Sequence, residues 1–308
     1  MQRLIFLTDI STHPLTQKDV PELAEGFVTR NPVYLVSYAD GDEVFFQNQL
    51  ALNASVLGKG VDVIMNYKRS LLDPVFVSQN KAIFSQKRGA GYWLWKPWII
   101  LDAMKKAPEN AIIIYSDSGS VIRHSLSDFI ERAHTHDIIL CRYEDTVMYG
   151  TLQKRAKRDV FIRLGCDDQE YHHHPTLWAG FLVLRNTPKA RHFIATWLSH
   201  CTDPQLLCDA QSSQPEYQSF TGHAHDQAIL GVLASLHTKD IQFIDYTDLV
   251  DKHLTWHHRR KGACPEEPLF IYRSLIPYYA LNRMMRYHES LFYNTSFLKW
   301  LRWKIAAF

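Results

Sequence analysis

The sequence predicts an α/β domain with a mainly parallel sheet and helices on its faces, and three observations carry that expectation. Short apolar runs without polar alternation, Val33–Tyr38 and 111–115, have the composition of strands buried on both faces. Segments with apolar residues at helical spacing lie between such runs. The connections are short and are marked by glycine and proline.

The elements follow in order. The first run ends at Asp40-Gly41. Residues 43–57 carry apolar positions at helical spacing, and Gly58 and Gly60 stop that helix. Residues 61–65 make a second short strand. Pro97 suits a first helical turn, and Trp98, Ile99, Leu101 and Met104 continue the helix to about Ala107. Residues 111–115 are the clearest buried strand. A helix over 125–134, strands over 138–141 and 181–184, a helix over 188–200 opened by Thr187-Pro188, a helix over 225–237 and a strand over 241–244 complete the alternation. In such sheets ligands bind beyond the carboxyl ends of the strands, so the loops after Tyr38, Tyr115 and Leu184 are expected to carry the chemistry.

Composition narrows the function classes. With 34 Lys and Arg against 32 Asp and Glu, the formal charge of +2 argues against a nucleic-acid partner, which would need a strongly basic face. No apolar run approaches the roughly 20 residues of a membrane-spanning helix. The run Leu4 to Leu7 is cut short by Asp9, so an N-terminal secretion signal is not expected and a cytoplasmic setting is. Five scattered cysteines without a Cys-x-x-Cys pair suggest neither a disulfide scaffold nor a zinc ribbon. The aromatic share of 13% serves a core, and also the flat faces of sugar rings and nucleobases. The chain divides into a main domain over 1–275 and a basic, tryptophan-rich segment over 276–308. That segment reads either as a helix docked on the domain or as one lying on an anionic membrane surface.

Three segments are candidates for chemistry. In Arg88-Gly89-Ala90-Gly91-Tyr92-Trp93-Leu94-Trp95-Lys96-Pro97-Trp98, the glycines would let a ligand approach the backbone, and Arg88 and Lys96 supply positive charge. Lys96 stands just before a helix start, so a pyrophosphate suits the combination. The competing reading is a glycine turn whose tryptophans fill the core. Tyr115-Ser116-Asp117-Ser118-Gly119 places an acid at a strand end, where it could hold a divalent cation or a ribose hydroxyl, or simply close an Asx turn. In His223-Ala224-His225-Asp226-Gln227, Asp226 either caps a helix or accepts a proton from, or positions, a substrate hydroxyl. His172-His173-His174 reads as a solvated turn or as the lining of an acceptor groove.

Taken in order, these segments resemble a glycosyltransferase of the GT-A type. The nearest likeness is to a bacterial surface polysaccharide and lipopolysaccharide group with the pattern SYAD, N, RGxGYWxWKP, IIIYxDxG, HDQ. Here that is Ser37-Tyr38-Ala39-Asp40, Asn80, Arg88 to Pro97, Ile112 to Gly119 and His225-Asp226-Gln227, spread over roughly residues 31–260. The resemblance implies a nucleotide-diphospho-sugar, Rossmann-like fold in which Ser37 and Tyr38 face the base. Arg88 and Lys96 would bind the donor phosphates, and a Lys96→Ala chain would stay folded but hold nucleotide less well. Asp117 would take the first position of the Asp-x-Asp element and bind the donor ribose and sugar. Asp226 would be the acceptor-side carboxylate, a general base if configuration inverts and a positioning group if it is retained.

Gly119 stands where the second acid of that element belongs. A Mn²⁺ or Mg²⁺ ion would then need His257 or His258 as a further ligand, or Arg259 and Lys261 would replace it. The implied partners are a nucleotide-sugar donor, UDP-linked, a saccharide or lipid-linked saccharide acceptor, and an anionic membrane surface. Two rival readings are a catalytically silent carbohydrate-binding protein and a metal-dependent hydrolase built on His223, His225 and Asp226.

Overall fold

The computed structural model describes residues 5–7, 31–252 and 254–256. His257, His258, Arg259, Lys261 and the segment 276–308 lie outside the described residues, and with them the expectations placed on them.

The strands are β1 (Ile5–Leu7), β2 (Val33–Tyr38), β3 (Val63–Tyr67), β4 (Ile112–Ser116), β5 (Ser120–Ile122), β6 (Ile138–Arg142), β7 (Leu177–Arg185), β8 (Gln242–Asp245) and β9 (Leu254–Trp256). Seven of them form one sheet in the order β1-β3-β2-β4-β7-β6-β8, and β5 pairs with β9 in a separate antiparallel ribbon. Within the sheet every pairing is parallel except the two made by β7. The mainly parallel α/β sheet with flanking helices is thus the observed architecture.

Side-chain alternation explains why the strands read as unbroken apolar runs. On β2, Tyr34, Val36 and Tyr38 join one buried layer, and Val33 and Leu35 join the other. On β4, Ile113 and Tyr115 face the first layer while Ile112 and Ile114 face the second. Helices Trp95–Lys106, Pro188–Cys201 and His225–Ser235 close the first layer through Ile99, Met104, Ile194, Trp197, Ile229 and Leu233. Helices Glu43–Ser55 and Ser127–Ala133 close the second through Leu52, Phe129 and Ile130. With both faces covered, a polar side chain on either is buried, so β2 and β4 are apolar except for Ser37 and Ser116 near their carboxyl ends, both fully buried. Among the described residues no helix is long and apolar enough to cross a membrane.

Two expectations need correction. The strand expected over 61–65 is β3, displaced two residues along the chain. More consequential is β7, which starts at Leu177 and runs against its neighbours: Phe181 pairs with Ser116 at the end of β4, and Arg185 with Ile112 at its start. The loop after Leu184 therefore lies at the opposite end of the sheet from the ligand-binding edge. It is the start of β7, through Trp178 and Gly180, that borders the cleft.

Candidate active site

A cleft of about 1120 Å³ opens at the carboxyl ends of β2 and β4. That is at or above the upper end of the range for small-molecule sites, roughly 300–1,000 Å³. Its wall is shaped by residues 89–93, all of which hold positive φ: 56° at Gly89, 52° at Ala90, 100° at Gly91, 51° at Tyr92 and 59° at Trp93. L-residues pay roughly 1–2 kcal/mol each for this left-handed conformation. The two glycines carry no such cost and are also required by packing. A Cβ on Gly89 would sit 2.4 Å from the Trp93 ring, and one on Gly91 would sit 2.8 Å from the Phe84 ring.

The loop does not present its amides to a ligand as the glycine-rich sequence suggested. The N–H groups of Tyr92, Trp93 and Leu94 donate to the carbonyls of Arg88, Gly89 and Gly91. The turn is closed by Trp95 Nε1, which donates to the Gly89 carbonyl at 2.9 Å. Gly91→Ala is accordingly expected to cost about 1–3 kcal/mol of stability, the range for a residue forced into a sparsely populated backbone region. Urea unfolding measures this, and an unchanged midpoint would mean the turn relaxes freely.

The turn leads directly into the helix Trp95–Lys106 and sets its first two side chains. The Trp95 ring stacks on Tyr38 with centroids 3.9 Å apart, forming an aromatic floor at the end of β2. The next residue points Lys96 inward, where it is only 4% exposed. Its Nζ lies 3.2 Å from Asp226 Oδ2 and 3.5 Å from Asp117 Oδ1, and donates to the Ala179 carbonyl at 3.1 Å. An ammonium has three protons, and three acceptors surround this one. Burial works against the charge, but the two carboxylates outweigh it and hold the Lys96 pKa above its ordinary value.

Asp117 follows the end of β4. Its N–H donates to the Gly180 carbonyl at 2.9 Å, and Tyr115 Oη donates to its Oδ1 at 2.6 Å. Its side chain is 31% exposed and opens on the cleft. Asp226, by contrast, is 3% exposed in the first turn of helix His225–Ser235. Burial raises its pKa from 3.8 to about 6, partly opposed by the Lys96 charge. Its carboxylate turns to Lys96, and Ala224 holds the cap position of the helix. Trp197 Nε1 donates to the Asp226 carbonyl at 2.9 Å, tying the helix start to the core.

Of the residues expected in the site, Tyr38, Arg88, Lys96, Asp117 and Asp226 line one cleft. Ser37 is set beneath it, fully buried, donating to Asn66 Oδ1 at 3.2 Å and accepting from Gln49 Nε2 at 3.1 Å. Arg88 is exposed and paired with Asp209 at 3.2 Å. Asn80 lies outside the cleft lining and bonds the Phe76 carbonyl. His172 is no solvated turn: it is buried beside Phe161 and bonded to Asp167 and Tyr217.

The histidines of the hydrolase reading are committed elsewhere. Both nitrogens of His223 bond backbone, at Lys157 N–H and the Leu206 carbonyl, and His225 Nδ1 bonds the Leu207 carbonyl. Burial pushes both imidazoles below the usual histidine pKa, which keeps them neutral. Among the described residues no three His, Cys, Asp or Glu side chains converge as metal ligands. Asp117 meets an ammonium and a phenol, and Gly119 has no side chain to offer, so among the described residues this loop does not fit a Mn²⁺ or Mg²⁺ ion, and the ligand expected at His257 or His258 lies outside them.

The sequence placed Tyr115 and Gln227 in candidate segments without giving either a role, and it did not place Trp178 and Ala179 in the site. The signal for β7 was present in the apolar run beginning at Leu177, which continues unbroken into 181–184. Gln227 Oε1 accepts from the Ala179 N–H at 3.3 Å and so joins the helix of Asp226 to the strand that holds Lys96.

No family profile matches the chain, and no curated protein matches it. Among solved structures it is similar to mouse xyloside xylosyltransferase 1 at 12% identity and a TM-score of 0.40, over 71% of this chain and 86% of that one. It is also similar to the galactosyltransferase LgtC in complex with donor and acceptor sugar analogs, at 15% identity and a TM-score of 0.36, over 68% and 72%. A third is the bifunctional glycosyltransferase WbbM, at 11% identity and a TM-score of 0.39, where 70% of this chain spans 39% of that one.

Proposed function

We propose that this cleft transfers a glycosyl group from a nucleotide-sugar donor, UDP-linked, to a hydroxyl of a saccharide acceptor. The observation that carries the reading is the convergence of Lys96, Asp117 and Asp226 in one cleft beyond the parallel strand ends. Transfer breaks the bond between the sugar's anomeric carbon and the diphosphate oxygen and forms one to the acceptor oxygen, whose proton must go to a base. Asp226, with a pKa of about 6, is ionised at neutral pH and can take that proton or, in a retaining enzyme, hold the sugar. Asp117, open to the cleft, faces the donor ribose and sugar.

The departing diphosphate gains negative charge, and preorganised cations stabilise it. Arg88, Lys87 and Arg155 line the same cleft with exposed side chains. The stacked Tyr38 and Trp95 rings, with Trp93 and Trp178, line the cleft and give it aromatic surface suited to a base and to sugars. The acceptor is a saccharide of a surface-polysaccharide precursor, reached in the cytoplasm at an anionic membrane surface. The basic aromatic composition of 276–308 supports that location.

A panel of nucleotide sugars in a thermal-shift assay tests the reading, because a ligand that binds only the folded state raises the apparent Tm. One UDP-sugar is expected to stabilise the chain and to release UDP slowly into water. Arg88→Ala is expected to weaken its binding about tenfold or more, the loss of a charge-assisted contact worth about 1.5–3 kcal/mol. A chain that no nucleotide sugar stabilises and that releases no nucleoside diphosphate is not a glycosyltransferase.

A further inference from the structure

We infer that the Lys96 ammonium is the resident cation of this site, doing at Asp117 and Asp226 what a divalent metal ion does for a pair of carboxylates. The inference rests on the reading of the cleft as a nucleotide-sugar site, and its geometry stands apart from that reading. Lys96 Nζ is within 3.5 Å of an oxygen of each carboxylate and donates a hydrogen bond to the Ala179 carbonyl. Those carboxylates arrive from the end of β4 and from the first turn of helix His225–Ser235, 109 residues apart in sequence (226 − 117). Among the described residues, no other cation lies between these two elements at this point. The position that would carry a second acid on the same loop is Gly119, which has no side-chain carboxylate to give.

This cation is covalently part of the chain. The left-handed turn 89–93 and the stacked Trp95 set the start of its helix, so its charge arrives with folding and needs no ion from solution. The charge count differs from that of a metal site. Two carboxylates and one ammonium sum to −1, where a divalent ion would sum to zero. The centre is therefore no landing place for a diphosphate. The diphosphate must meet Arg88, Lys87 and Arg155, which are exposed along the cleft, while Lys96 holds the two carboxylates in place. Lys96 is thus a positioning residue.

Titration with Mn²⁺, read as loss of the free-ion signal in electron paramagnetic resonance, tests this with and without UDP. UDP is included because Mg²⁺-type ions are often held by one carboxylate plus substrate phosphates. Up to millimolar Mn²⁺, the wild-type chain is expected to bind no ion that Asp117→Asn removes, in either condition. In Lys96→Met the two carboxylates lose their cation. That variant is expected to bind one Mn²⁺ per chain, to gain Tm with Mn²⁺ in a saturable way, and to lose both effects when Asp117→Asn is added.

A wild-type chain that binds one Mn²⁺ through Asp117 overturns the inference, and so does a folded Lys96→Met that gains no ion. If Lys96→Met does not fold, the wild-type titration decides alone. The titration without UDP needs no donor, so its outcome is independent of the nucleotide-sugar screen and separates a failure of the resident cation from a failure of the glycosyl-transfer reading.

Discussion

Asp226→Asn is expected to lower glycosyl transfer by roughly 10²–10⁴-fold, the contribution of a general base, with UDP affinity near wild type. The amide keeps the size of the carboxylate, and its oxygen can still accept from the Lys96 ammonium, so the chain should fold. What it cannot do is take a proton from an acceptor hydroxyl. The same assignment predicts a pH profile in which kcat/KM falls as Asp226 becomes protonated below about pH 6.

Stability carries a signature of the opposite sense. The Asp226 pKa is raised on folding from 3.8 to about 6, so between those values the folded chain binds more protons than the unfolded one. Its contribution to stability therefore falls as pH rises through that window, and levels off above about pH 6. The full change is about 3 kcal/mol for a shift of this size. Asp226→Asn should remove that slope, which urea unfolding of the two chains at several pH values between about 4 and 7 reads directly. A variant that transfers at the wild-type rate, whatever its stability, moves the base elsewhere in the cleft.

Lys96→Met is expected to be among the most destabilising changes in the cleft, at about 3–5 kcal/mol near neutral pH. Removing one member of a buried ion pair leaves an uncompensated charge, and Asp226 is 3% exposed with no other cation at hydrogen-bond range among the described residues. The loss should shrink as pH falls, because a protonated Asp226 no longer needs the ammonium. Chemical unfolding at neutral pH and again near pH 5 measures both parts. Equal midpoints for variant and wild type at neutral pH would show that water reaches the carboxylates and that the pairing contributes nothing. This differs from what the sequence suggested, where Lys96 read as a phosphate ligand whose loss would leave the fold intact. A lysine before a helix start looks exposed in one dimension. Here the helix start is pressed onto the sheet by Ile99, Ile100 and Met104, and the side chain has nowhere to go but inward.

How far the sequence reached depended on the range of the interactions involved. The helix Pro188–Cys201 was legible because its signals are local: Thr187 Oγ1 accepts from the Ala190 N–H at 3.3 Å, and Pro188 occupies the first turn. β2 and β4 were legible because double-sided burial keeps each run apolar up to the single serine near its carboxyl end. Tyr38, Arg88, Lys96, Asp117 and Asp226 were all named as site residues from sequence, and all line one cleft. Their mutual contacts were not foreseen, because Lys96 meets partners 21, 83 and 130 residues away along the chain (at 117, 179 and 226).

By itself the sequence determined the strand and helix periods, the acid at the end of β4, the acid at the start of helix His225–Ser235 and the glycines of the turn. Each of these follows from steric and solvation rules acting within a few residues. Only the tertiary structure decided the direction of β7, since an apolar run reads alike in either direction and pairing chooses between them. Only it decided that Ala90, Tyr92 and Trp93 join the glycines at positive φ, a conformation none would hold alone, maintained by the Trp95 bond to Gly89 and by stacking of Trp93 on His225 with centroids 5.6 Å apart. And only it decided that Lys96 lies between two carboxylates, because the free energy of a buried charge depends on which groups folding brings within a few ångströms of it.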